Sequence, residues 1–144
     1  MIVPFSIHDV LKIGFLTGEN LVDTARYGKI MQNGDGFVYR DADDIPRLAG
    51  GVMRIWNGVG ELWMMVDEDM RRNMPVSMAR YAKRCVDVLL MRHQFHRVQC
   101  HIDVTLERNC RFAEFIGLKR EGLMKKYLPN GVDAWRYAMI AGGV

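Results

Sequence analysis

Apolar and polar positions along this chain repeat, alternate and break in a readable order. From Ile7 to about Ile30 they mix at helical spacing. Val10, Ile13, Leu21 and Ala25 fall on one stripe, interrupted near Thr17-Gly18, which predicts two short helices. NGDGF at 33–37 is turn chemistry leading into a strand, FVYRD, which DADDIP (41–46) breaks. RLAGGVMRIW (47–56) reads as a second strand and Asn57-Gly58 as a tight turn. GELWMMVD (60–67) is apolar on both faces, as expected of a central strand. The short links between these three strands predict an antiparallel meander.

DEDMRRNMP (67–75) reads as a polar loop closed by Pro75, a residue suited to the first turn of a helix. Val76, Ala79, Ala82, Val86, Leu89, Leu90 and His93 then follow a helical stripe, with Arg80, Lys83, Arg84 and Asp87 off it. RVQCHIDV (97–104) alternates as a strand, with Val98, Cys100, Ile102 and Val104 on one face and His101 on the other. Residues 105–116 read as a helix that packs Phe112, Phe115 and Ile116 inward and ends at Gly117. GLKREGLMKKYLPNGVDAWRYAMI (117–140) reads as a hairpin turning at Asn130-Gly131. The strand–helix–strand passage from 61 to 104 is a βαβ unit, so its two strands should be parallel. The predicted class is α+β: a mixed sheet flanked by helices, with a C-terminal β-hairpin.

Composition narrows the function classes. The length of 144 residues fits one domain, 1–144, large enough to fold without a disulfide or metal. A net charge of +3 permits phosphate contacts but does not demand nucleic acid. The basic residues of the long helix read as a solvated face. Eleven methionines suit an irregular core first and an adaptable surface second. Three scattered cysteines, Cys85, Cys100 and Cys110, argue for a reduced compartment. The first residues lack a basic segment before an apolar run, and no apolar run reaches membrane-spanning length. A cytoplasmic location is expected. No paired-cysteine or H-E-x-x-H spacing predicts a metal, and His93 and His96 suit a helix C-terminus.

The residues that point to a family lie in RFAEFIGLKREGLMKKYLPNGVDAWRYAMI. This segment resembles the end of the GNAT N-acetyltransferase fold, where a helix closes on a Gly-aromatic pair. An E-G step, a tyrosine and a G-x-D-x-x-x-Y hairpin follow it there. The counterparts are Gly117, Leu118 (leucine for the usual phenylalanine), Glu121, Gly122, Tyr127, Gly131, Asp133 and Tyr137. The chain is similar above all to small divergent GNAT-like proteins of bacteriophages, a likeness shared by GELWMMV and its proline-led helix.

The resemblance implies a GNAT-like domain that binds acetyl-CoA and an amine acceptor on a protein or small molecule. In the family, the pantetheine arm pairs with the end of the central strand, here Met64, Met65 and Val66. The pyrophosphate sits at the start of the long helix, over a loop of the form Arg/Gln-x-x-Gly-x-Gly/Ala. Its counterpart here is Arg71, Arg72, Asn73, Met74, Pro75 and Val76. Met74 and Val76 replace both glycines, and Pro75 removes a backbone donor. Arg71 and Arg72 either supply charge in place of those donors or are solvated loop residues. Asn109 and Phe112 fall where relatives contact the cofactor.

Acetyl transfer to an amine needs a base and an acid. Glu61 lies where some relatives carry the base. Its place in an apolar strand should raise its pKa, unless it opens the strand at a solvated end. The helix tyrosine that many relatives use as the acid is absent, which leaves Tyr127 as either its substitute or a packed strand residue. The alternative is a protein of the same fold without catalysis, a virion-associated or host-directed factor that binds a protein partner. Such a protein would reside in the host cytoplasm or the virion. Self-association into a homo-oligomer is compatible with either reading.

Overall fold

The computed structural model describes residues 34–141, and the helices expected between Ile7 and Ile30 lie outside them. Six strands form one sheet: β1 (Asp35–Arg40), β2 (Pro46–Trp56), β3 (Val59–Val66), β4 (Arg97–Asp103), β5 (Lys119–Met124) and β6 (Ala134–Ile140). Among the described residues three helices accompany them: α1 (Glu68–Arg72), α2 (Val76–His93) and α3 (Glu107–Phe115). The strand order is β1-β2-β3-β4-β6-β5. The pair β3–β4 is parallel, joined through α2 as the βαβ reading requires. The pairs β1–β2, β4–β6 and β5–β6 are antiparallel. The class is α+β, as expected, with the hairpin at the C-terminal end.

The chain packs as two compact units, one of residues 34–53 and 62–92 and the other of 54–61 and 93–141. The first unit buries Phe37, Val38, Leu48, Ala49 and Val52 of its strands. It also buries Met78, Ala82, Cys85, Val86 and Leu89 of α2. That stripe differs from the expected one. Val76 is 64% exposed, and Met78 and Cys85 take inward positions. Met78, Ala82, Cys85, Val86 and Leu89 recur at the spacing of one helical stripe, which Val76, two residues before Met78, cannot join. Gly50 and Gly51 of β2 allow close approach. A Cβ on Gly50 would stand 2.8 Å from the Phe37 ring, and one on Gly51 would meet the Asp35 carbonyl.

The polar loop expected at 67–75 is partly helical. Asp67 is the N-cap of α1 and accepts from the Met70 amide at 3.0 Å. Asp67 is also 2% exposed and receives Arg47 Nη1 at 3.1 Å. Arg47 Nε reaches Asp41 at 2.9 Å, and Asp41 in turn accepts from the Asp43 and Ile45 amides. The hydrogen bond from the Ile45 amide, then that from Arg47, hold the Asp41 carboxyl below its ordinary range. This chain of contacts ties the β1–β2 turn to the start of α1.

The second unit buries Val98, Cys110, Ala113, Ile116, Leu118, Ala134, Tyr137 and Ala138. Gly117 adopts φ +107°, and the Leu118 amide returns to the Ala113 carbonyl at 3.0 Å. The predicted helix stop therefore has its physical basis. Phe115, expected inside, is 45% exposed, while Cys110 and Ala113 take the inward face of α3. Small residues there let α3 lie close to Tyr137.

The hairpin also departs from the expected tight turn. Residues 125–133 form a loop between β5 and β6, and Asn130-Gly131 is a turn inside that loop. Gly131 has φ +79°, and the Val132 amide donates to Asn130 Oδ1 at 3.1 Å. Asp133 Oδ1 accepts from the Lys126 amide at 2.9 Å. The glycine, aspartate and tyrosine that carry the family resemblance thus have structural duties: Gly131 turns the loop, Asp133 ties it and Tyr137 is fully buried.

Candidate functional site

The register of the second unit decides which side chains meet. Glu61 pairs with Gln99 across β3–β4, and His101 pairs with Arg136 across β4–β6. Strand alternation therefore puts Glu61, Gln99, His101 and Arg136 on one face. Cys100, paired with Tyr137, lies on the other. Burial, and then the Glu61 charge, push the Cys100 thiol up to about 12.

Glu61 is the hub of the polar face. Arg136 Nη1 donates to its two oxygens at 3.2 and 3.3 Å, and His101 Nδ1 lies 3.3 Å from Oε1. The His101 ring meets the Tyr127 ring edge-on with centroids 4.9 Å apart. The two catalytic candidates, Glu61 and Tyr127, therefore both contact one imidazole. On the same face Arg97 forms a bidentate pair with Glu121 at 2.9 and 2.6 Å, and its Nε donates to Gln99 at 3.0 Å.

The expected rise in the Glu61 pKa is overturned. Burial does push it up, but hydrogen bonds from His101 and Gln99 and the Arg136 charge outweigh this. The carboxyl lies below its ordinary 4.5. Glu61 is also not at a solvated strand start, since its side chain is only 16% exposed. Tyr127 is 48% exposed on the β5–β6 loop rather than packed in a strand. Trp135, two positions before Tyr137, is on the opposite face, with the Arg120 guanidinium 4.0 Å above its ring.

His101 and Arg136 were missed in the sequence. Neither sits in a motif, and only a strand register can place residues 61, 101 and 136 together. The alternation that put His101 on the face opposite Cys100 was the one usable signal.

The expected cofactor residues divide between the units. Met64, Met65 and Val66 end β3, beyond the β3–β4 register, which runs from Val59↔Arg97 to Glu61↔Gln99. Arg71 and Arg72 are not lone loop charges. Both ion-pair with Glu68 of their own helix, Arg72 through Nε at 3.2 Å. Asn73 caps the end of α1, its amide donating to Asp69 O at 3.0 Å. Met74 is half-buried, and the Met78 and Ala79 amides both close on the Pro75 carbonyl at 3.0 and 3.1 Å. Val76 opens α2, so its amide and that of Ser77 begin the helix. Asn109 and Phe112 are half-buried on α3, in the second unit and apart in sequence from the others. Among the described residues no cluster of three metal-ligating side chains occurs, and no helix is long and apolar enough to cross a membrane.

This architecture is the fold of the GNAT acetyltransferases. A GNAT-family acetyltransferase from Bacillus anthracis superposes with a TM-score of 0.71 at 17% identity, over 96% of this chain and 93% of that one. Ribosomal-protein-S5-alanine acetyltransferase from Vibrio fischeri gives 0.72 at 15% identity, over 98% and 92%. Spermidine N-acetyltransferase from Vibrio cholerae, in a dodecameric structure, gives 0.72 at 16% identity, over 97% and 92%. No family model matches the sequence, and no curated protein does.

Proposed function

We propose that this protein is an N-acetyltransferase that moves an acetyl group from acetyl-CoA to the amine of a protein or small molecule. The observation that carries the reading is the Glu61–His101–Tyr127 arrangement in a GNAT fold, with carboxylate and imidazole on one sheet face and the Tyr127 ring of the β5–β6 loop against the imidazole. The residues fit the cofactor in kind. The backbone of Met64, Met65 and Val66 would hold the pantetheine arm, since these residues lie past the end of the β3–β4 ladder. Arg71, Arg72 and the first amides of α2, from Val76 on, would hold the pyrophosphate once Glu68 yields the arginines. Bound acetyl-CoA supplies the thioester that the amine attacks. Tyr127 provides the proton for the departing thiolate. The three free cysteines suit a cytoplasmic location.

Acetyl-CoA at 100 times its dissociation constant should stabilise the protein by about 2.7 kcal/mol in a thermal-shift titration. Release of free CoA thiol with an amine acceptor should follow. Absence of any shift at millimolar acetyl-CoA overturns the reading.

One observation favours a second reading, a catalytically silent GNAT-like protein of phage origin that binds a protein partner in the virion or the host. Glu68 holds both candidate phosphate-binding arginines, and Met74 and Val76 stand in place of glycines. A protein that ignores acetyl-CoA yet elutes as a stoichiometric complex with a partner from its native context would establish it.

A further inference from the structure

We propose that His101, rather than Glu61, takes the proton from the acceptor amine, with Glu61 and Arg136 as positioning residues behind it. The inference rests on the acetyl-transfer reading above and names the base within it. Glu61 is poorly placed to be that base. Its oxygens already receive Arg136 and His101, its side chain is 16% exposed, and its carboxyl is held ionised below the ordinary range. A carboxylate so stabilised is a weaker proton acceptor.

His101 has the opposite properties. Its side chain is 39% exposed, and Nδ1 faces a carboxylate. That carboxylate accepts only, so Nδ1 carries the hydrogen and Nε2 presents its lone pair. A carboxylate that fixes the tautomer and then stabilises the imidazolium is the general logic of oriented bases. Among the described residues, the charged or titratable groups facing the ring are Glu61 from β3, Arg136 from β6 and Tyr127 from the β5–β6 loop. Arg97 and Asp103 share its face of β4.

The step balances. The amine nitrogen forms a bond to the thioester carbonyl carbon, and its N–H proton passes to His101 Nε2. The carbon–sulfur bond then breaks, and the thiolate takes the Tyr127 hydroxyl proton. Solvent returns a proton to Tyr127 and removes one from His101.

The test compares pH profiles of kcat/KM for the wild type, His101→Gln and Glu61→Gln, alongside thermal shifts with acetyl-CoA. His101→Gln should lower kcat roughly 10²–10⁴-fold and abolish the acid limb of the profile. It should leave the melting temperature and the acetyl-CoA shift intact. Glu61→Gln should lower kcat less, and nitrogen NMR should show His101 losing its fixed Nδ1–H form. Turnover and a pH profile in His101→Gln equal to the wild type overturn this proposal alone. A wild type that binds acetyl-CoA but acetylates no amine overturns the acetyl-transfer reading and this proposal together.

Discussion

The two charged regions of this protein are built in opposite ways. Around Glu61 the partners come from different strands: β3 supplies the carboxylate, β4 the imidazole and β6 the guanidinium. Around Glu68 they come from one short helix, where the carboxylate holds Arg71 and Arg72 at i,i+3 and i,i+4. The first arrangement exists only when the sheet has formed, and its guanidinium and carboxylate are 19% and 16% exposed. The second needs only a helical turn, and its side chains are 37% to 66% exposed. A preorganised site suits proton transfer, which needs fixed geometry. A local, solvated pair can open at little cost, as ligand capture requires.

Removing Arg136 tests that contrast most severely. Arg136→Leu leaves Glu61 without its cation in a half-buried place and should destabilise by about 3 kcal/mol in urea unfolding. A loss under 0.5 kcal/mol would erase the distinction between the regions. Asp67→Ala removes the α1 cap together with the buried partner of Arg47, and should cost about 2 kcal/mol by the same measurement. It tests whether the α1 region is anchored at its start by Asp67 rather than by its Glu68 ion pairs.

Acid provides a gentler probe. The folded pKa of Glu61 is below its ordinary 4.5. The stabilisation is therefore fully present above that value and is lost as pH falls through the lower folded value. Wild type should lose stability faster than Glu61→Gln when melts are followed from pH 5 downward, and parallel curves would contradict the assignment. The smallest effect is expected at Arg71→Gln. This pair is more than a third exposed on each side, so solvent screening limits the change to about 0.5 kcal/mol or less. The same variant should weaken acetyl-CoA binding several-fold in calorimetry, which separates a ligand role from a stability role.

Much of the fold was legible because its signals are local. Apolar runs marked β2 and β3, alternation marked β4, the proline marked the start of α2, and Gly117 marked the end of α3. The misses also have local causes. The α1 helix was hidden because DEDMRR has Met70 as its one apolar residue and is held by the Asp67 cap rather than an apolar stripe. The tight hairpin at Asn130-Gly131 failed because that pair turns inside a longer loop tied by Asp133. For the site, Glu61 and Tyr127 came from resemblance, and the residues that join them did not.

The sequence by itself determined the order of the elements, the parallel β3–β4 pairing and the loss of glycines before α2. Those features depend on side-chain period, turn chemistry and connection length, which are properties of neighbours along the chain. The tertiary structure alone decided that Glu61, His101 and Arg136 form one cluster. It also decided that the Glu61 carboxyl is stabilised rather than raised. Both follow from strand register, which brings residues 40 and 75 positions apart within hydrogen-bond distance, and no local pattern encodes it.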